Sequence, residues 1–256
     1  MKYLSLIIIG ARRSLVYKWS VLFSVITAAL SIILLRHFWS ALLTDPTAFQ
    51  HMFNYSIISL VLASVYTFKT PDKIMQQLRS GEIVCELLHP WSYVPRLIFE
   101  DIGTLSVNMI FRIIPIILFG TLVYNFKVPL TNLLPFIVCM VLSFTILFFL
   151  RTCVGLISFW VIEASSMNIF LNILINFFSG KFLPAWIMPN CIGSVMLYLP
   201  FIWIFEKPIE VLLSTSMELS DYIIYWGCQL LWVVGLYIVY NIMWKRAMKK
   251  LSIYGG

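Results

Sequence analysis

Long apolar runs with basic residues gathered at their ends constrain this chain more than any other feature. Such runs occupy residues 19–41, 52–68, 105–124, 130–150, 152–178 and 222–244. A helix rises 1.5 Å per residue, so about 20 residues cross the roughly 30 Å of bilayer hydrocarbon. Only 11% of the 256 residues are charged and 61% are hydrophobic, whereas a soluble domain carries about 25% charged residues. The expected fold class is an all-α integral membrane protein with six transmembrane helices, because backbone groups in lipid must be satisfied within the helix itself.

Charge sets the orientation. With the N-terminus inside, the cytoplasmic side receives Lys2, Arg12, Arg13, Lys18, Lys69, Lys73, Arg79, Arg96, Arg151, Lys245, Arg246, Lys249 and Lys250. The outer side receives Arg36, Lys127, Lys181 and Lys207, and Arg112 falls inside the third span. The positive-inside rule therefore places both termini in the cytoplasm. It also accounts for the net charge of +7, and nucleic acid is not an expected partner. Residues 1–18 read as a cytoplasmic amphipathic helix lying on anionic headgroups, with no cleavable signal peptide.

Two connecting segments stand apart. Residues 69–101 hold the densest charge in the chain. Within them Ile74, Leu78, Val84, Leu87 and Leu88 keep helical spacing, interrupted at Gly81. Residues 179–221 are apolar but broken by Pro184, Pro189, Pro200 and Pro208, which predicts short re-entrant or interfacial helices in place of a clean span.

Catalytic motifs are missing. Gly180-Lys181 lacks the upstream glycine and the following Ser or Thr of a phosphate loop, and no zinc-protease, nucleophile-elbow or dinucleotide pattern occurs. Cys85, Cys139, Cys153, Cys191 and Cys228 are scattered, as are His37, His51 and His89. No catalytic, cofactor or metal-binding residues are expected, and no internal repeat supports an inverted-repeat transporter.

Three segments together resemble a known family. They are YLSLIIIGARRSLVYKWS at the start, GEIVCELLHPWSYVPRLIFEDIG in the polar loop, and FFSGKFLPAWIMPNCIGSVMLYLPFIWIFEKPIEVLL followed by QLLWVVGLYIVYNIMWKRAMKKLSIYGG. Their order and spacing are similar to the six-span permease subunits of ABC-2-type ABC transporters, in the branch that pairs two permeases with a separate ATPase. His89 stands where that branch often has Arg. The resemblance implies a permease subunit of an ATP-driven exporter in a bacterial cell membrane, not an enzyme by itself. The implied partners are a cytoplasmic ABC ATPase dimer, which binds ATP and Mg, and a second permease, sister or identical. It also implies a coupling helix in the loop between spans two and three, where Lys73, Gln77, Arg79, Glu82 and Glu86 are the expected docking residues.

Deep polar residues are the other candidates. Arg112 and Glu163 are the most deeply placed charges, and they are expected to meet each other, to line a substrate path, or to pack between helices; Arg112 also has the option of snorkelling to the interface. Ser165, Ser166 and Asn168 extend Glu163 into a polar stripe. The rival readings are a secondary transporter or channel, and a membrane scaffold or sensor that transports nothing.

Overall fold

The protein is described from a computed structural model, which describes residues 7–11, 18–88, 93–124, 126–127, 131–161, 165–214 and 217–254. Those residues are predominantly helical and contain no strand. A short helical stretch at 7–11 is followed by α1 (Lys18–Leu42), α2 (Pro46–Val65), α3 (Thr70–Ser80) and α4 (Ile83–Leu87). Next are α5 (Tyr93–Asn108), a π-helical turn (Met109–Ile113), α6 (Ile114–Tyr124), α7 (Leu133–Ile157) and α8 (Ser165–Phe178). A 3-10 turn (Ala185–Ile187), α9 (Asn190–Leu197), α10 (Glu206–Leu213) and α11 (Leu219–Tyr254) complete the order.

Among the described residues, five helical segments are long and apolar enough to cross a membrane: Phe23–Leu42, Pro46–Ser80, Tyr93–Tyr124, Leu133–Ile157 and Leu219–Lys250. Six spans were expected, and the difference lies at 152–178. Arg151 is not a boundary, because α7 runs through it to Ile157. The helix then ends in tight bonds from Ser158 N to Gly155 O and from Phe159 N to Leu156 O, with the Ser158 hydroxyl also donating to Gly155 O at 2.5 Å. What remains is α8, with 14 residues and a rise of about 21 Å. The charged 69–101 segment is also more helical than a loop, since α5 starts at Tyr93 and carries Glu100 and Asp101 buried. Residues of the basic tail continue α11 to Tyr254.

The chain divides into two compact units. The first comprises Met1–Thr67, Phe99–Leu134 and Ile209–Thr215. Asp45 caps α2, accepting from Thr47 N and Ala48 N at 3.2 Å each and from the Thr47 hydroxyl at 2.6 Å, with Pro46 ready-made for the first turn. These bonds hold the exposed Asp45 carboxyl below its ordinary value of 3.8. A depressed carboxylate stabilises the fold above its unfolded pKa, and that contribution is lost as pH falls through the folded value. Acidification below about pH 4 should therefore lower the thermal midpoint less in Asp45→Asn than in the unaltered protein, measured by intrinsic fluorescence in detergent.

Inside this unit α1 and α2 pack around Ile32, Trp39, Phe53 and Tyr55, with Trp39 Nε1 donating to Ser56 Oγ at 2.8 Å. The Arg36 guanidinium sits 4.5 Å from the Tyr124 ring centroid, which gives a membrane cation a cation–π partner. A Cβ on Gly10 would overlap the Glu100 carbonyl and one on Gly103 the Ile7 carbonyl, so these glycines allow the 7–11 stretch to cross α5 at backbone contact. The π-helical turn just before Pro115 has a local cause. Proline lacks an N–H and its ring crowds the preceding turn, and the ladder relaxes to a five-residue bond from Ile114 N to Met109 O.

The second unit comprises Phe68–Ile98, Pro135–Pro208 and Ser216–Gly256. The 179–205 stretch is broken into the 3-10 turn, the short helix α9 and turns, with no long helix, and Phe201, Ile202, Trp203, Ile204 and Phe205 are all buried. Buried irregular backbone needs internal partners. Here Ile204 N donates to Phe201 O, Lys207 N to Ile202 O and Glu206 N to Ser179 O, at 3.0–3.2 Å.

Candidate functional site

Within the second unit, α3 is built as a helix that lies on others. Pro71 opens it, Asp72 sits in its first turn and Arg79 in its last, matching the helix dipole. Gly81 closes it in the left-handed region at φ 75°, a conformation that costs other residues energy. Thr70, Pro71, Ile74, Met75 and Gln77 form its buried face, while Asp72, Gln76, Arg79 and Ser80 are exposed. A groove of about 430 Å³ runs beside that exposed face, lined by Asp72, Met75, Gln76, Arg79, Ser80 and Ser165.

The expected docking residues do not all share this face. Arg79 and Glu82 are exposed and Lys73 is half-buried. Gln77 is buried, accepting from the Tyr93 hydroxyl at 2.5 Å and donating to Glu86 Oε1 at 3.3 Å. Glu86 in turn pairs with Arg96. Gln77 and Glu86 therefore fasten α3 and α4 to the start of α5, and the Tyr93 ring continues inward, stacked on Trp244 of α11 at 5.8 Å.

The deep polar candidates separate as well. Asn168 is drawn into a network with Asp72 and Arg151, whereas Ser165 and Ser166 are exposed. Arg112 is half-buried in the π-helical turn, with no hydrogen-bond or ion-pair partner among the described residues. Glu163 lies outside the described residues, as do Arg12, Arg13 and His89.

Sequence reasoning missed Gln229, which is fully buried on α11. Its amide Nε2 reaches Trp203 O at 3.0 Å, Ser143 Oγ at 2.9 Å and Cys139 O at 3.3 Å, and the Ser143 hydroxyl donates to Trp203 O at 2.7 Å. The proline-broken segment is thereby pinned to α7 and α11. A signal for this existed: a primary amide in an otherwise apolar span must find partners, since lipid offers none. Glu206 was missed too. It is buried, and its carboxylate accepts from Ala185 N at 2.7 Å, fixing the 3-10 turn.

Among the described residues, five helical segments long and apolar enough to cross a membrane accompany the amphipathic α3. Residues 47–255 match the model of a family described as ABC-2 family transporter protein. The chain belongs to the ABC-2 transporter family. No curated protein matches it significantly. As a member of that family it is a multi-pass membrane permease component of an ABC transporter and not itself an ATPase. The match spans α3, the 179–205 segment and Gln229 alike.

Proposed function

We propose that this chain forms half of the translocation path of an ATP-driven exporter in a bacterial cell membrane. A second permease, identical or sister, completes the path, and two ATP-hydrolysing subunits holding ATP and Mg dock from the cytoplasm. The observation that carries this reading is α3: eleven residues with one face seated on its own unit and the opposite face, Asp72, Gln76, Arg79 and Ser80, turned outward beside a groove. Lys73 and Glu82 border that face, and Gln77 and Glu86 act from behind it by holding the helix in place.

Six crossings fit this role better than five. Basic residues cluster at both ends of the sequence, at Lys2, Arg12 and Arg13 and again at Lys245, Arg246, Lys249 and Lys250. Both clusters reach the cytoplasm only with an even number of crossings. α8 supplies the sixth, its shortness offset by local thinning or by shielding from protein. Residues 1–18 then form the cytoplasmic entry, 69–101 the coupling region and 179–221 a re-entrant segment on the outer side. Arg112 and Glu163, with Ser166 and Asn168, supply polarity along the path or between helices.

Charge reversal tests the docking face. Arg79→Glu should lower ATP hydrolysis by the purified complex about fivefold, with a smaller effect from Lys73→Glu, because rim charges govern orientation and encounter. Hydrolysis unchanged by both reversals would remove α3 from the interface. Substrate movement in vesicles containing this chain alone, without any ATPase, would overturn the reading as a whole.

A further inference from the structure

Asn168 is a junction between three helices. Its Nδ2 donates to Asp72 Oδ1 of α3 at 3.2 Å, and its Oδ1 accepts from Arg151 of α7 at 3.5 Å. The same guanidinium donates to Asn172 Oδ1 at 3.0 Å, one turn further along α8. The amide orientation at 168 is dictated by its neighbours, since only an oxygen suits the guanidinium and only an N–H suits the carboxylate. Arg is needed at 151 because a planar fork spans two amides one turn apart, which a lysine point charge does not. Its guanidinium also lies 5.9 Å from the ring centroid of Phe68, just before α3.

The stripe goes on. Asn176 follows at the same helical spacing and accepts from Lys181 Nζ at 3.0 Å, and the backbone then enters the segment whose Ser179 O receives Glu206 N. α8 thus carries Asp72 and Arg151 at one end and Lys181 at the other, over a rise of about 12 Å from Asn168 to Asn176.

We propose that the chain Asp72–Asn168–Arg151–Asn172 transmits displacement of α3 to α8, which carries it along the asparagine stripe to the 179–197 segment, with Asn168 as the positioning residue at the junction. The proposal rests on the ATP-driven permease reading and specifies how this chain turns nucleotide chemistry into movement. A tie made of charge-assisted hydrogen bonds suits that task, because it is directional and has a discrete broken state, whereas apolar contact slides.

The test uses the complex of this chain with its ATPase in lipid nanodiscs, in a Cys85→Ser background. Cys191, exposed on α9, reports through its labelling rate with a membrane-impermeant maleimide. Trapping with ATP and vanadate should change that rate in the unaltered chain. Asn168→Ala should shrink the change about tenfold, within the range that substitutions on a coupling path reach, while ATPase subunits co-purify in undiminished amount. Arg151→Lys should shrink it less. Asp72→Asn combined with Asn168→Asp should restore it, since the new carboxylate at 168 accepts from both Arg151 and the new amide at 72. A full response in Asn168→Ala overturns the relay alone; should that variant fail to assemble, failure of the paired exchange to respond overturns it instead. If no ATP-hydrolysing subunit binds the unaltered chain, the permease–ATPase reading falls first and the relay with it.

Discussion

Gly155→Val is expected to lift α3 off α7. A Cβ at position 155 would come 3.0 Å from Ile74 Cδ1 and 3.1 Å from Pro71 Cα. The Ile74 methyl can swing aside, but the Pro71 backbone cannot, so relief requires movement of the whole helix. Two magnitudes oppose each other. Removing a glycine from a helix interior gains up to about 1 kcal/mol in propensity, whereas overpacking a fitted contact costs about 1–3 kcal/mol. For Gly155→Ala the two nearly cancel. For Gly155→Val the branched side chain adds bulk and forfeits part of the propensity gain, and the steric cost wins. The measurement is limited trypsin cleavage at Lys73 and Arg79. Cleavage should rise about tenfold in Gly155→Val, as expected when local opening becomes about 1.4 kcal/mol easier, and stay near the unaltered rate in Gly155→Ala. Equal protection in all three proteins would show that α3 is not seated through this contact.

Gln229→Met is expected to loosen the proline-broken segment while nearly preserving side-chain volume on α11. The substitution removes the donors to Trp203 O, Ser143 Oγ and Cys139 O. Trp203 O keeps the Ser143 hydroxyl, so the loss is smaller than for a fully orphaned carbonyl. Hydrogen bonds within membranes are worth about 0.6 kcal/mol on average and up to about 1.7. An amide has two N–H groups, and Gln229 Oε1 is buried without a partner among the described residues, so the net loss should be about 1 kcal/mol. Thermal unfolding in detergent should place Gln229→Met a few degrees below the unaltered protein and Ser143→Ala closer to it. The double variant should lose more than the sum of the singles, because only then is the Trp203 carbonyl left with neither donor. Strict additivity would mean that the two act separately.

These sites differ in how far they were legible beforehand. The α3 helix and its stop at Gly81 follow from apolar spacing and from the one residue that adopts φ 75° cheaply. The irregular course of 179–205 follows from its prolines. The bounds of the fifth apolar run were not legible, because hydropathy reports an apolar run and is blind to a tight turn inside it, such as the one Gly155 and Ser158 build. Within residues 69–101, spacing located a helix, while the family resemblance gave Gln77 and Glu86 the same standing as Arg79. Only the hydrogen bonds from Tyr93 and Arg96 turn the first two inward.

Local physics therefore determined a great deal from the sequence alone: an all-helical membrane chain, with punctuation at Gly81 and at the late prolines. Each of those properties depends on residues within a turn or two of one another, or on composition. What the tertiary structure decided is which polar side chains hold the helices together. Asn168 meets Asp72 across 96 residues, and Gln229 meets Cys139 across 90 and Ser143 across 86. An amide in an apolar span announces that it needs a partner, because lipid provides none. Which partner it takes depends on helix crossings set by close contacts such as Gly155 on Pro71 and Ile74, and no local pattern encodes those.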